Sequence, residues 1–345
     1  MASKDLTILV SVPFDLYFAS EIEVQATNFR KWGVLNKVHY LIYEQGENVY
    51  KHYWDKLEQK FPEAKFFFYN GDEIKNLTVI YPPVIRPNCL KKHFKLYPEL
   101  EQHVLLYMDG DVLFTSTPDL EQYINDDICY LSPTDYISPT YFTSKRKDVF
   151  HFKLEEYDRH DILKELCNIV GIDKQTVIDN EPYTGGCQYI LKNINAEFWE
   201  ELERVCIELR MHCLQLNAAF FPSEEKGLQS WAIGDMCGLL WLLWKRGLCT
   251  RTPDSMKFSW SSSPIELYDK HLFFHNAGVA SKEMVLTGKK HRLFHKSDLR
   301  FRTSTLTFFD IKNWGEISTD FCSYKYVDAI KEVNDPVCVT EKYTY

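Results

Sequence analysis

Two aspartates directly follow an apolar segment in the middle of the chain. Asp109 and Asp111 come after the run Val104–Met108, with Gly110 between them, and Val112 begins a second apolar stretch. Both carboxylates are therefore predicted to leave the end of a buried strand together, and the glycine lets the backbone turn and a ligand approach closely. Paired carboxylates suit a hard divalent ion such as Mg²⁺ or Mn²⁺, with diphosphate oxygens in its other positions. The alternative is an ordinary turn with two solvated acids.

A histidine late in the chain stands in a similar position. His275 follows the apolar residues Leu272–Phe274, so it also lies at the end of a predicted strand. A neutral imidazole is a good ligand for Mn²⁺. The alternative is a core histidine whose hydrogen bonds are satisfied inside the protein.

Three further features are candidates for binding or catalysis. Asp235 lies near the start of the helical segment Trp231–Arg246, which is apolar on nearly all sides and is therefore predicted to be buried. A buried carboxylate needs a partner, although an acid near a helix start is also favoured by the helix dipole. Gly185 and Gly186 remove two side chains before a strand, which either admits a ligand to the backbone or makes an ordinary tight turn. Trp260, followed by three serines, could line a sugar pocket.

The elements that would position these residues begin with an alternating pattern. Strands are predicted at residues 6–12, 37–43 and 65–69, with helices at 21–32 and 50–60 between them. This order predicts a right-handed parallel sheet, and nucleotides usually bind such sheets at the carboxyl ends of the strands. Neither a Gly-x-Gly-x-x-Gly nor a Gly-x-x-x-x-Gly-Lys-Ser/Thr loop is present. A bound nucleotide would therefore need a metal or a basic side chain at its phosphates.

The composition excludes some classes of protein. The net charge of -9 argues against a general polyanion binder, because affinity for phosphate backbones comes from Lys and Arg. The ten cysteines form no Cys-x-x-Cys pair, which indicates buried thiols in a reducing compartment. The apolar run Met236–Trp244 is much shorter than the ~20 residues of a membrane-spanning helix, and the N-terminal sequence predicts a strand rather than a signal peptide. We therefore expect a soluble, intracellular (cytoplasmic) protein.

Four segments resemble motifs of one enzyme family. The sequence LLYMDGDVLF resembles the Asp-x-Asp strand of the GT-A fold glycosyltransferases. Arg86-Pro87 resembles the segment that touches the donor base or phosphate in glycogenin-like and hydroxyproline-arabinosyltransferase-like members. Residues 181–191 resemble their small-residue turn and strand beside the donor sugar, and residues 273–278 resemble the late histidine motif that completes the metal site. The resemblance extends over roughly residues 6–280.

The resemblance implies a fold and a set of site residues. It implies an α/β fold of GT-A type, with a mixed sheet flanked by helices. Residues 1–285 would form the catalytic domain, with an insertion at about 136–180, and residues 286–345 a C-terminal extension packed on it. Asp109, Asp111 and His275 would hold Mn²⁺ or Mg²⁺. Asp235 would be the catalytic acid facing the acceptor or the sugar, and the donor-binding residues would be Arg86, Asp109, Gly110, Gly185, Gly186 and Gln188.

The implied reaction moves a hexosyl or pentosyl group from a nucleotide-diphosphate donor to an acceptor hydroxyl. A UDP-sugar is the first candidate for the donor. The acceptor stays open between a glycan, a protein, a lipid and a hydroxymethylated DNA base. If the reaction inverts the anomeric centre, Asp235 would act as general base, whereas the glycogenin-like resemblance favours retention.

Two other functions remain as alternatives. A nucleotidyltransferase acting on a sugar phosphate would need a loop rich in glycine and lysine after the first strand, and residues 11–15 do not provide one. A non-catalytic sugar-binding module would need no site for a metal and a diphosphate.

Overall fold

The computed structural model describes residues 5–45, 49–223, 225–278, 281–296, 307–309 and 316–339. Contacts divide the chain into two compact units built from interleaved segments. The first unit comprises residues 1–6, 71–107 and 121–254, and the second comprises residues 7–70, 108–120 and 255–345. The two units are described separately below.

The strands and helices alternate through most of the chain. The strands are β1 (Leu6–Pro13), β2 (Val38–Glu44), β3 (Lys65–Asn70), β4 (Val104–Met108), β5 (Val112–Phe114), β6 (Cys129–Pro133), β7 (Gly185–Leu191), β8 (Thr250–Arg251), β9 (Phe258–Trp260), β10 (Phe273–His275), β11 (Glu283–Leu286) and β12 (Lys289–Arg292). The helices are α1 (Leu16–Lys31), α2 (Lys51–Lys60), α3 (Lys75–Ile80), α4 (Ile85–Leu96), α5 (Pro139–Ser144), α6 (Leu154–Tyr157), α7 (Ile162–Val170), α8 (Lys174–Asp179), α9 (Ala196–Phe220), α10 (Ser230–Ala232), α11 (Gly238–Lys245) and α12 (Ser323–Lys331).

The second unit begins with the predicted alternation of strands and helices. Strand β2 is parallel to both β1 and β3, which confirms the parallel start of the sheet. Helix α1 begins before its predicted start at Glu21, because the Asp15 side chain caps it by accepting a hydrogen bond from Phe18 N at 2.8 Å. Gly33 follows the helix with a φ of 74°, a left-handed conformation that glycine adopts without strain.

A small second sheet in this unit contains Trp260 and His275, and Asp111 directly precedes its first strand. Its strand order is β5-β10-β9, with β10 antiparallel to β5 and parallel to β9. Leu113 of β5 and Phe274 of β10 point into a buried apolar cluster that also contains Phe294 and Tyr326. Because side chains alternate along a strand, the flanking residues of β5 and β10 face the opposite side of this sheet.

The first unit contains antiparallel as well as parallel strands. Strand β7 is antiparallel to β4 and β6, while β6 is parallel to β8. Helix α9 packs against α4 and α11. Parallel and antiparallel strands flanked by helices give the mixed α/β fold that the sequence predicts.

The predicted helix at residues 231–246 is present but is not a regular α-helix. Helices α10 and α11 are joined by a π-helical turn, Ile233–Cys237, and Gly247 follows α11 with a φ of 72°. A π turn inserts an extra residue into the helical hydrogen-bond pattern and often marks a functional site. Asp235 lies in the middle of this turn.

Three general expectations can be compared with the described residues. Each of the ten cysteines is a free thiol, and eight are buried as expected, whereas Cys187 is half-buried and Cys249 is exposed. Among the described helices, none combines the length and apolar character that crossing a bilayer requires. The domain boundary at residue 285 stays a prediction; β12 and α12 both belong to the second unit.

Candidate functional site

The three predicted metal ligands come together in the second unit. One ligand atom from each of Asp109, Asp111 and His275 lies within 4.8 Å of the others. His275 Nε2 is 3.5 Å from Asp109 Oδ2 and 3.2 Å from Asp111 Oδ1. Asp111 and His275 are almost fully buried, whereas Asp109 is partly exposed. Two carboxylates and an imidazole form a donor set that fits a divalent cation such as Mn²⁺ or Mg²⁺.

Strand pairing explains why residues so distant in sequence meet here. In the β5–β10 ladder, Val112 lies opposite His275. The backbone N–H of Asn276 donates to the Asp111 carbonyl oxygen at 3.1 Å, so the chain just before β5 is tied to the chain just after β10. The antiparallel register therefore fixes the aspartates and the histidine at the same end of the two strands.

Two buried amides on α1 hold the turn between the aspartates. Gln25 Nε2 donates to the carbonyl oxygens of Asp109 at 2.9 Å and Val112 at 2.8 Å. Asn28 Nδ2 donates to Phe114 O at 3.0 Å and its Oδ1 accepts from Phe114 N at 3.0 Å. The sequence interpretation missed both residues, although two amides three positions apart in an apolar helix are a recognisable signal. The two amides provide hydrogen-bond partners for backbone groups of Asp109, Val112 and Phe114 that strand pairing leaves unbonded.

Gly110 is required for close packing inside the protein. A Cβ atom at this position would lie 3.0 Å from Val12 Cγ1, 3.2 Å from Glu21 Oε2 and 3.3 Å from Ile22 Cδ1. A side chain would push the turn away from these residues. The predicted approach of a donor to Gly110 therefore stays a prediction, because packing alone accounts for the glycine.

Lys296 is a charged neighbour of the metal ligands that sequence interpretation missed. Its Nζ forms an ion pair with Asp111 Oδ2, while Asp111 Oδ1 faces His275. Burial raises the pKa of the Asp111 carboxyl, but Lys296 and then His275 outweigh this effect and hold the pKa well below its usual range. Burial lowers the pKa of Lys296, but the charges of Asp111 and then Glu21 raise it by more than burial lowers it. The pKa of Lys296 is therefore above its usual value. Both groups are therefore charged at neutral pH.

Trp260 covers one face of the candidate metal ligand His275. The two residues are opposite each other in the parallel β9–β10 pair, and their rings stack with centroids 5.4 Å apart and an interplanar angle of 20°. The stacked indole restricts rotation of the imidazole and so favours a fixed direction for Nε2. The predicted contact of Trp260 with a sugar stays a prediction.

The other predicted site residues lie in the first unit. Asp235, 8 % exposed, forms an ion pair with Arg86, which supplies the partner that a buried carboxylate requires. This pair brings together two residues that the sequence interpretation treated separately. Whether either touches a substrate stays a prediction.

Three predicted donor residues lie within β7, which begins earlier than predicted, and they are in contact with other parts of the first unit. A Cβ atom on Gly185 would lie 2.7 Å from Ser132 O, and one on Gly186 would lie 2.2 Å from Met236 Cε. Gln188 is fully buried, and its Oε1 accepts a hydrogen bond from Ser132 Oγ at 2.6 Å. Packing therefore explains both glycines without a ligand, and their roles in donor binding, like that of Gln188, stay predictions.

Solved structures that are similar to the chain include several glycosyltransferases. A bifunctional glycosyltransferase, WbbM, gives a TM-score of 0.41 at 10% identity over 81% of this chain, which spans 47% of that protein. The galactosyltransferase LgtC, solved with donor and acceptor sugar analogues, gives a TM-score of 0.40 at 12% identity over 94% of this chain and 95% of LgtC. Mouse xyloside xylosyltransferase 1 gives 0.36 at 11% identity over 79% of this chain and 97% of that chain.

These likenesses are too distant to assign an activity, a donor or an acceptor to the chain. No protein-family model matches it, and no curated protein does.

Proposed function

We propose that the protein is a divalent-metal-dependent glycosyltransferase that uses a nucleotide-diphosphate sugar, with a UDP-sugar as the first candidate. The observation that carries the proposal is the cluster of Asp109, Asp111 and His275 at the ends of two paired strands. The Asp-x-Asp motif and the absence of a glycine-rich phosphate loop in the sequence support it, because a metal would then bridge the protein and the diphosphate.

The charges of the cluster suit this role. Asp109, Asp111 and the neighbouring Glu21 outweigh Lys296 and leave an excess of negative charge, which a bound divalent cation would offset so that an anionic diphosphate could approach. When bound, the metal would stabilise the negative charge that develops on the departing diphosphate. Asp109 is the most exposed of the three candidate ligands, so its carboxylate is the most accessible to an arriving ion.

The protein side chains would contribute orientation and charge. The two amides of Gln25 and Asn28 hold the backbone on which both carboxylates are mounted, and the Trp260 indole holds the imidazole. Lys296 keeps Asp111 ionised, and its ammonium would add a positive charge at the diphosphate. Preorganised ligands of this kind need not rearrange when the ion binds.

We propose that Arg86 and Asp235 contribute to the same reaction. Arg86 would contact a phosphate and Asp235 would face the acceptor hydroxyl, acting as general base if the reaction inverts configuration. Their ion pair adds a condition to this role: the Asp235 carboxylate is already stabilised by Arg86. An acceptor hydroxyl would therefore have to share the carboxylate with the guanidinium, or displace it.

A panel of nucleotide sugars with Mn²⁺, scored for slow donor hydrolysis, tests the proposal. We expect at least one donor to be hydrolysed, and the Asp111→Asn variant to lose at least about tenfold in rate, since each ligand contributes more than about 1.4 kcal/mol. Asp109→Asn and His275→Ala should lower the affinity for Mn²⁺ in calorimetry. Glu58→Gln, an exposed acid on α2, is the matched control and should behave as the unmodified protein.

The rival functions predict other products in the same assay. A nucleotidyltransferase would release pyrophosphate from a nucleoside triphosphate when a sugar phosphate is supplied. A sugar-binding module would hydrolyse no donor. Either result, or hydrolysis that Asp111→Asn leaves unchanged, would contradict the proposed metal-dependent transfer.

A further inference from the structure

The first unit exposes a large aromatic side chain at the start of the broken helix. Trp231 in α10 is 45% exposed, although the π turn that follows and all of α11 except Lys245 are buried. An exposed apolar residue on a surface is common and by itself needs no explanation. What distinguishes Trp231 is the number of contacts that fix its position.

The Trp231 ring rests on two side chains from other elements. Tyr81 is fully buried; its ring lies 5.5 Å from that of Trp231, and its hydroxyl donates to the Trp231 carbonyl oxygen at 2.6 Å. The guanidinium carbon of the buried Arg210 lies 4.9 Å from the Trp231 ring centroid. A cation placed over an aromatic face in this way attracts the ring and restrains it. One side of the indole is thus held by the protein while the residue remains accessible to solvent.

The backbone that leads to Trp231 is fixed as well. Tyr141 Oη accepts a hydrogen bond from Gln229 N at 3.0 Å, and Arg210 also hydrogen-bonds to the Ser230 hydroxyl. Just before them, Asn217 holds Leu228 through both backbone groups, at 2.9 and 2.7 Å. The indole is therefore a rigid surface, and a ligand that stacks on it would lose little additional conformational entropy of the protein.

A polar pair lies next to this rigid surface. Asp235 is about one turn beyond Trp231 on the same helical stretch, and it forms the ion pair with Arg86. Tyr81 also packs beside the residue that precedes Asp235, because a Cβ atom on Gly234 would lie 2.8 Å from the Tyr81 hydroxyl. Both charged side chains are partly exposed, 12% for Asp235 and 26% for Arg86. The carboxylate accepts hydrogen bonds and the guanidinium donates them.

We propose that Trp231 and the Arg86–Asp235 pair form a saccharide-binding subsite. The apolar C–H face of a pyranose ring stacks on the exposed indole, and hydroxyl groups at its rim bond to the Asp235 carboxylate, which Arg86 holds in place. A lipid chain would require a continuous apolar surface, whereas a charged pair lies about one helical turn from this indole. The inference rests on the proposed glycosyl transfer in one respect, since it identifies the acceptor as a saccharide.

Fluorine NMR of protein labelled with 5-fluorotryptophan tests the subsite directly, without metal or donor. The probes are methyl β-D-galactopyranoside, methyl β-D-glucopyranoside and methyl α-D-mannopyranoside, with adenosine as the competing stacking ligand. The Trp231 resonance is assigned by its loss in the Trp231→Phe variant. We expect at least one glycoside to shift this resonance saturably, and Asp235→Asn to weaken the apparent affinity at least about tenfold, as expected for loss of a hydrogen bond to a charged group.

A kinetic measurement complements the binding test. With the glycoside that binds as acceptor, Trp231→Ala should raise its KM at least about tenfold, because it removes the aromatic surface on which the sugar stacks. Phe152→Ala is the matched control, because Phe152 is another exposed aromatic residue in the first unit, and it should leave that KM unchanged. Thermal melting of Trp231→Phe and Trp231→Ala shows whether each variant is folded.

Three outcomes would overturn the inference: no glycoside shifts the Trp231 resonance, adenosine alone shifts it, or Asp235→Asn leaves glycoside affinity unchanged. The inference and the proposed function can fail independently. Glycoside binding at Trp231 without hydrolysis of any donor supports the subsite and contradicts glycosyl transfer. Donor hydrolysis without glycoside binding contradicts the subsite and supports the transfer activity.

Discussion

The two carboxylate oxygens of Asp111 contact two different basic side chains, His275 and Lys296. Oδ1 faces the His275 imidazole and Oδ2 is paired with the Lys296 ammonium. Because Asp111 is buried, this carboxylate depends on those neighbours for its charge. Lys296 thus supplies a positive charge that keeps this candidate metal ligand ionised before any ion binds. Sequence alone gave no reason to single out a lysine in this part of the chain.

We expect Lys296→Met to destabilise the metal-free protein by about 2 kcal/mol, because it leaves a buried carboxylate with one cationic partner fewer. The folded pKa of Asp111 lies below its unfolded value of about 3.9, so its stabilising contribution is present above that pH and is lost as the pH falls below it. Lys296 has a raised pKa, so its contribution holds below about 10.4 and is lost above it.

Urea denaturation of the two metal-free proteins measures this effect. The difference in free energy of unfolding should be largest near neutral pH and should narrow below a pH of about 4. Mn²⁺ should restore part of the lost stability, since it supplies positive charge to the same carboxylate. A difference that is constant across this pH range would mean that the lysine acts through packing alone.

At the scale of elements, helix α1 positions the candidate metal ligands without contributing one. Its Gln25 side chain bonds to the carbonyl oxygens on either side of the turn that carries both aspartates. Its Asn28 side chain pairs with both backbone groups of Phe114 at the end of β5. The geometry of the candidate site therefore depends on how this helix packs against the strand, and not only on the Asp-x-Asp motif.

We expect Gln25→Leu to lower the free energy of unfolding by about 1–3 kcal/mol, because two carbonyl oxygens lose their donor in a buried place. The affinity for Mn²⁺ should fall as well, since the turn that holds Asp109 and Asp111 is no longer fixed. Calorimetric titration with Mn²⁺ and chemical denaturation measure the two effects.

Thr27→Val is the matched control for this prediction. Thr27 lies on the same helix, and its hydroxyl bonds only within that helix, to Glu23 O at 2.8 Å. It should leave Mn²⁺ affinity unchanged. If Gln25→Leu loses stability but binds Mn²⁺ as the unmodified protein does, the amide supports the fold and not the site.

For the whole molecule, the proposed function predicts that the metal and the nucleotide stabilise the protein together. UDP with Mn²⁺ should raise the melting temperature, whereas UDP with EDTA should not, because the chain offers no glycine-rich loop to hold phosphates directly. At a UDP concentration about 100 times its Kd, binding should add about 2.7 kcal/mol to the free energy of unfolding. Equal stabilisation by UDP with and without metal would rule out a bridging ion.

Much of the local structure could be predicted from the sequence. The runs of apolar residues and the helical spacing predicted the five elements over residues 6–70 in the correct order, and Gly33 marked the end of α1. The two aspartates after an apolar strand and the histidine after another were identified as partners from residue types and a family resemblance, and the structure places them together. The elements and the Asp-x-Asp turn depend on neighbouring residues in the chain, so periodicity and spacing record them, whereas the link to His275 came from the family resemblance.

Other features depended on the tertiary structure. The amides of α1 and the ammonium of Lys296 reach the aspartates only because packing brings distant segments together, and no local pattern encodes that proximity. The π turn around Asp235 and its pairing with Arg86 likewise follow from helix packing. Residue types and spacing thus determined which groups could bind a metal. Long-range contacts decided which side chains fix the position of those groups and which charges lie beside them.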